Sequence, residues 1–292
     1  LFLHRLGIFL WYNKRMFFSY ILSALAGILA IPLVASAHIA YVTSEADIIR
    51  TRGGDTHFLL NTLGDPFHIA LIATTLIVGA ILFVYVMSNH SLLAKGKKVE
   101  QHLLSYQDLI PWMIRLSLGI ALIGAGSTHV LVSPVVPLGA FSFIEILVGF
   151  LLMTGFLLGP ATVATVFLFL TALALDGYMV GNLDFLALAV SFWILGNARP
   201  GIDDIFNIHF PTPFKKASQY VPLIMRFGVG ITMMYLALAE KILNPHTAEL
   251  VATQYHLTSV IPVSAGMWVL STGLIELAVG FLILIGCYTR VV

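Results

Sequence analysis

Four charged residues stand in strongly apolar surroundings: Arg115, Glu145, Arg226 and Glu276. A charge at bilayer depth costs at least about 2.5 kcal/mol on insertion scales, so each one needs a physical reason. A carboxylate cannot reach far along a helix toward water, so Glu145 and Glu276 are either held neutral or paired. One reading makes each a neutral hydrogen-bonding group that glues neighbouring helices, with Gly149 or Gly280 four residues on permitting close approach. The other makes it a carboxyl that relays a proton or holds a quinone head group. Arg115 and Arg226 lie about 6 Å into their helices at the usual rise per residue, so their stems can reach lipid head groups. The functional alternative is a cation facing an anionic substrate or a carboxylate. Arg115 is shallower than Glu145 by about two helical turns, and no direct salt bridge is read between them.

A second set of candidates lies near the outer helix ends: His129, Glu240 and Lys241. An interfacial polar cluster or a cofactor contact would both suit such residues. Trp112, Trp193 and Trp268 fall at predicted helix ends, where aromatic anchoring at the membrane surface explains them. Of the ten histidines, His38, His57, His68, His129, His246 and His256 fall outside, where imidazoles could hold haem or a transition metal. None shows a tight ligand spacing, and no metal residues are assigned. His38, if made the N-terminus by cleavage, could chelate copper through its amine and ring. The single cysteine, Cys287, excludes an internal disulfide or a CxxC redox pair.

These residues recur in order. Pro111-x-x-x-Arg115-x-x-x-Gly119-Ile120 returns as Pro222-x-x-x-Arg226-x-x-x-Gly230-Ile231, and His129 and Pro134 return as Glu240 and Pro245, all at an offset of 111. Ile144-Glu145-x-x-x-Gly149-Phe150-Leu151-x-x-x-Gly155 returns as Ile275-Glu276-x-x-x-Gly280-Phe281-Leu282-x-x-x-Gly286 at an offset of 131. A repeat that keeps its helices and lengthens one loop is read as a structural duplication.

The elements that must position these residues are membrane helices. The chain is 59% hydrophobic and 10% charged, with mean hydropathy +0.96, against roughly 25% charged in a soluble domain. That balance makes it a polytopic membrane protein. The net charge of +1 says nothing about nucleic acid, but no basic stripe with interleaved aromatics is present, which sets nucleic-acid binding aside. Lys14-Arg15, the apolar run Met16–Val34 and Ala35-Ser36-Ala37 form a signal peptide or a retained signal anchor. Helices are then expected at about Pro66–Met87, Leu109–Val132, Leu138–Leu158, Ala161–Asp176, Leu183–Leu195, Val221–Leu243 and Ala265–Cys287. With the N-terminus inside, only Arg50, Arg52 and Lys241 of the 15 lysines and arginines fall outside, which fixes a cell-membrane, multi-pass topology with the basic loops cytoplasmic. Both repeat copies then point the same way, as parallel repeats.

The expected fold is therefore an all-α, polytopic transmembrane bundle of about eight helices. Residues 1–37 form the signal segment, 38–65 an exoplasmic segment, and 66–110 a helix with a cytoplasmic loop. Residues 111–196 form the first four-helix unit, 197–221 a cytoplasmic connector, and 222–292 a second, incomplete unit. The start at Leu1 and the end at Val292, where Gly159-Pro160 leads onward in the first copy, give the expectation of two further helices.

Arg226-x-x-x-Gly230, Ala239-Glu240-Lys241-x-x-x-Pro245, Glu276-x-x-x-Gly280 and Gly286-x-x-Thr289-Arg290 resemble the DoxX family of four-helix membrane proteins. The resemblance covers Pro222–Val292 well and Pro111–Leu195 more loosely, with His129-Val130 in place of Glu240-Lys241 and no Thr-Arg after Gly155. It implies a membrane component of an oxidoreductase system, since members are linked to thiosulfate:quinone oxidoreduction. The expectation is thus a quinone-linked subunit, possible in a homo- or hetero-oligomer, that takes electrons from a soluble redox partner on the exoplasmic face. Glu276 and Arg226, and Glu145 and Arg115 in the other copy, would serve the head group. The chain has no flavin or nicotinamide fingerprint and no cysteine cluster, so the redox group would be a bound quinone, a haem or a partner's. The alternatives are a non-enzymatic scaffold or assembly factor, and a small-solute carrier.

Overall fold

The computed structural model describes residues 57–89, 105–196, 200–208, 215–259 and 263–286, with isolated positions at 42, 43, 47, 50, 51, 54, 55, 98, 101 and 102. The candidate signal segment, His38, Lys95, Lys97, Arg199, Cys287 and Thr289-Arg290 lie outside the described residues. Among those described, every regular element is helical. In chain order they are α1 (Phe58–Leu63), α2 (Pro66–Ser88), α3 (Ile110–Ser127), α4 (Ser142–Thr154), α5 (Leu158–Leu175) and α6 (Leu183–Leu195). There follow α7 (Ile202–Ile205), α8 (Val221–Leu236), α9 (Pro245–Gln254) and α10 (Ala265–Ile285).

Among the described residues, five segments are long and apolar enough to cross a membrane: Gln107–Ser127, Leu158–Leu175, Gly177–Leu195, Lys216–Ile242 and Ala265–Ile285. Gly139–Thr154 is a shorter apolar helix. This is the build of a multi-pass membrane protein, and side chains such as Ile120, Phe143, Phe150 and Phe167 point outward, as lipid-facing residues do. The core is Leu118, Leu122, Leu152, Leu168, Phe169 and Phe192, all buried. A second cluster ties Phe58 of α1 to Ala248 and Ala252 of α9 and to Val269 and Leu270 of α10.

Glycines set the closest helix crossings. A Cβ on Gly119 would lie 2.9 Å from Gly149 O, and one on Gly149 would lie 2.7 Å from Gly119 O, so α3 and α4 touch through backbone. Gly230 and Gly280 do the same for α8 and α10, at 2.9 Å in each direction. Without a hydrophobic drive between helices in lipid, such small-residue crossings supply the packing contacts.

Several boundaries differ from the sequence expectation. The third helix ends at Ser127 rather than Val132, because the Ser127 and Thr128 hydroxyls turn back to donate to Gly124 O at 2.8 and 3.1 Å. His129 follows with φ +58°. The fourth stops at Thr154, capped by Gly155 at φ +73°, and α5 begins at Leu158, ahead of the expected Ala161. The helix expected over Val221–Leu243 does not run on as plain α-helix past α8: Ala237–Ile242 is wound as a π-helix. The connector and the lengthened loop each contain a helix, α7 and α9, that the periodicity did not predict.

Candidate functional site

Glu145 is wholly buried, but in the first turn of α4 rather than deep inside a span as expected. Its Oε1 accepts the Val132 backbone N–H at 2.6 Å. Val132 has φ +60°, a rare conformation for a β-branched residue, and the carboxyl supplies the acceptor that conformation needs. Oε2 has no hydrogen-bond partner among the described residues. His129, in the same loop, pairs through Nδ1 with Ser142 Oγ at 3.2 Å. The first acid therefore closes a loop onto the helix start.

Arg115 is 2% exposed, so it does not reach out to head groups. Its Nη2 donates to Pro200 O at 3.0 Å, and its guanidinium fills the space over Gly155, where a Cβ would lie 2.6 Å from Nη1. Gly201 and Asp204 of the connector lie beside it. Asp203 holds this end together. Its two carboxylate oxygens accept from Leu157 N at 2.8 Å and Leu158 N at 3.0 Å, and its own N–H donates to Gly155 O. That is N-capping of α5 by a residue distant in the chain. Neither acid was singled out from the sequence; two adjacent aspartates after Gly201 in an otherwise basic connector were the available signal. Arg226 makes the matching contact in the second copy, packing over Gly286, which has φ +74°.

Glu276 differs. It lies near the middle of α10 and forms an ion pair with Lys241 Nζ. Its side chain is 35% exposed, and of the two states expected for it, held neutral or paired, the structure places it in a pair. The pair lines a pocket of about 210 Å³ with Asp184, Val229, Thr232, Met233 and Leu236. Asp184 N–H donates to Thr232 Oγ1 at 3.1 Å, and the Thr232 hydroxyl donates to Asp184 Oδ1 at 3.5 Å. Glu240, adjacent to Lys241, turns inward instead. It is 1% exposed and accepts from Tyr178 OH at 2.9 Å.

The structure thus joins Lys241 to Glu276 and leaves other expected partners apart. Arg226 packs at Gly286, ten residues beyond Glu276, or about 15 Å along the helix. Arg115 at Gly155 is separated from Glu145 by the same interval. One head group cannot bond both members of either Arg–Glu couple. Lys241, expected with Glu240 and His129 as a cofactor contact, belongs with Glu276. Asp184, Thr232 and Tyr178 were missed, because nothing in their local sequence marks them off from helix and turn residues.

The described histidines are engaged locally. His68 Nδ1 lies 2.7 Å from Thr62 O, and His246 lies between Asp55 at 3.7 Å and Glu249 at 3.2 Å. Among the described residues, no group of three or more His, Cys, Asp or Glu could hold a metal ion. No family model, no curated protein and no solved structure matches the chain, so its reading rests on its own residues.

Proposed function

We propose that the chain is a quinone-linked integral membrane subunit of the DoxX type, made of two parallel bundles, and that the pocket around Lys241 and Glu276 receives the quinone head. The observation that carries this reading is the Lys241–Glu276 ion pair in a pocket at mid-helix depth. The matched contacts of Gly119 with Gly149, Gly230 with Gly280, Arg115 with Gly155 and Arg226 with Gly286 support the duplication.

The residues fit the group. A quinone head has two carbonyl oxygens on an apolar ring, and the pocket offers an ammonium donor, two carboxyls and the apolar side chains Val229, Met233 and Leu236. A volume of about 210 Å³ is below the roughly 300 Å³ where pockets begin to enclose drug-sized ligands. It therefore takes a head group, while an isoprenoid tail runs along exposed apolar residues of α10 such as Ile275 and Val279. A bound quinone would supply two-electron, two-proton redox chemistry. Lys241 would donate a hydrogen bond to a carbonyl oxygen. Glu276 and Asp184 would hold or accept the protons. Val229, Met233 and Leu236 would exclude water. Electrons would come from a soluble partner at the outer face of the cell membrane, with the basic loops on the cytoplasmic side.

The test is to purify the full chain in mild detergent and analyse extracted lipid for quinone, with decylubiquinone binding measured alongside. Stoichiometric quinone that is lost in Glu276→Gln and in Lys241→Met is the expected result. Quinone-free protein that co-purifies with one constant membrane partner would replace this reading by the scaffold alternative.

A further inference from the structure

Lys241 reaches Glu276 from a π-wound turn, Ala237–Ile242. Such turns are rare and occur mostly as single insertions within α-helices. One residue more or less in the winding displaces every later side chain by about 100° around the axis. Relaxation of this turn to α-helix would therefore carry Lys241 away from Glu276.

Hydrogen bonds at its end and from outside tie the turn down. Leu243 N–H donates to Leu238 O at 2.8 Å, and Asn244 Nδ2 donates to Ala239 O at 2.8 Å, both local. Another comes from elsewhere in the fold: Tyr178 OH donates to Glu240 Oε1 at 2.9 Å. Tyr178 is itself fixed in the turn between α5 and α6. Its N–H donates to Asp176 Oδ1 at 2.8 Å, and its ring packs on Tyr235 with centroids 5.1 Å apart. Tyr178 and Glu240 are both buried. On the other side of the turn, Gly273 of α10 leaves room for Lys241, since a Cβ there would lie 3.0 Å from Lys241 Cβ.

We propose that Tyr178 and Glu240 are positioning residues: their hydrogen bond holds the π turn in the register that sets Lys241 on Glu276, so the α5–α6 turn of the first bundle governs the pocket of the second. The effect on Lys241 stands independently of the ligand; only its consequence for binding rests on the quinone reading.

The test reads Lys241 directly. The full chain in detergent is treated with a small amine-acylating reagent, and the labelling rate of Lys241 is followed by mass spectrometry. Tyr178→Phe and Glu240→Ala are expected to raise that rate about tenfold, the upper end of what losing one intramolecular hydrogen bond shifts an equilibrium. Glu240→Gln keeps an oxygen acceptor for Tyr178 and is expected to restore the slow rate. Tyr235→Phe removes a neighbouring buried hydroxyl without touching the Tyr178–Glu240 bond and is expected to leave it unchanged. An unchanged rate in Tyr178→Phe, or an equal rise in Tyr235→Phe, overturns the proposal. Decylubiquinone binding separates the two readings. Faster labelling with weaker binding supports both, whereas faster labelling in a protein whose wild type binds no quinone keeps the positioning role and removes the quinone.

Discussion

Glu145 and Glu276 each follow an isoleucine, stand four residues before a glycine, and lie on a helix that crosses its partner through paired glycines. Their surroundings nevertheless diverge. Glu145 closes on a backbone amide and is sealed under a loop, while Glu276 pairs with a lysine beside a pocket. The cause lies in the preceding helix. Gly124-Ala125-Gly126-Ser127-Thr128 is a poor helix former and ends α3, so the chain bends back and offers Val132 N–H. The matched stretch Tyr235-Leu236-Ala237-Leu238-Ala239 favours helix and carries the chain on to Lys241. At the matched positions of the two sequence stretches, Leu118 and Leu122 are buried core residues, whereas Val229 and Met233 line the pocket. The same acid becomes structural or available according to how its neighbouring helix ends.

The sharpest way to break that comparison is Lys241→Met. It leaves Glu276 without its cation and should cost about 2–3 kcal/mol, below the full penalty for a sealed pair because Glu276 is partly exposed. Thermal melting in detergent should fall, and quinone binding should be lost. Adding Glu276→Leu should recover stability but not binding. If Lys241→Met melted like wild type, the pair would not hold its turn to α10.

Glu145→Ala comes next. It strands the buried Val132 N–H and should cost about 2 kcal/mol, whereas Glu145→Gln, which retains an acceptor, should cost under about 1 kcal/mol. Denaturation of the two variants distinguishes them, and neither should alter quinone binding. Loss of binding in Glu145→Gln would erase the functional difference between the bundles.

Gly155→Ala and Gly286→Ala compare the two arginine contacts. Both force a Cβ into a left-handed conformation, which costs about 1–2 kcal/mol. Gly155 should be the more sensitive, because its Cβ would meet Gly201 Cα at 2.7 Å as well as Arg115, whereas the three atoms nearest a Cβ on Gly286 all belong to the flexible Arg226 side chain. Equal melting temperatures would contradict this. A further small effect is expected for Asp203→Asn, which weakens a cap on α5 and should cost about 1 kcal/mol by the same melting assay.

Much of the helical layout was legible from composition and hydropathy, since a long apolar run in lipid must satisfy its backbone internally. The ends of α3 and α4 were not, because hydroxyl back-bonding and a left-handed glycine decide them against a continuing apolar pattern. Arg115, Glu145, Arg226 and Glu276 stood out because charge is conspicuous in an apolar stretch. Asp203, Tyr178, Asp184 and Thr232 did not, because each acts across the fold on a backbone group or side chain far away in sequence.

The sequence by itself determined that this chain builds membrane helices and which of its charges have to be explained, because the cost of a charge in hydrocarbon depends on residue type and depth. The tertiary structure decided what answers each charge. That depends on where a helix stops and how its last turn winds, and the different endings of two matched stretches bring a backbone amide to Glu145 and a lysine to Glu276.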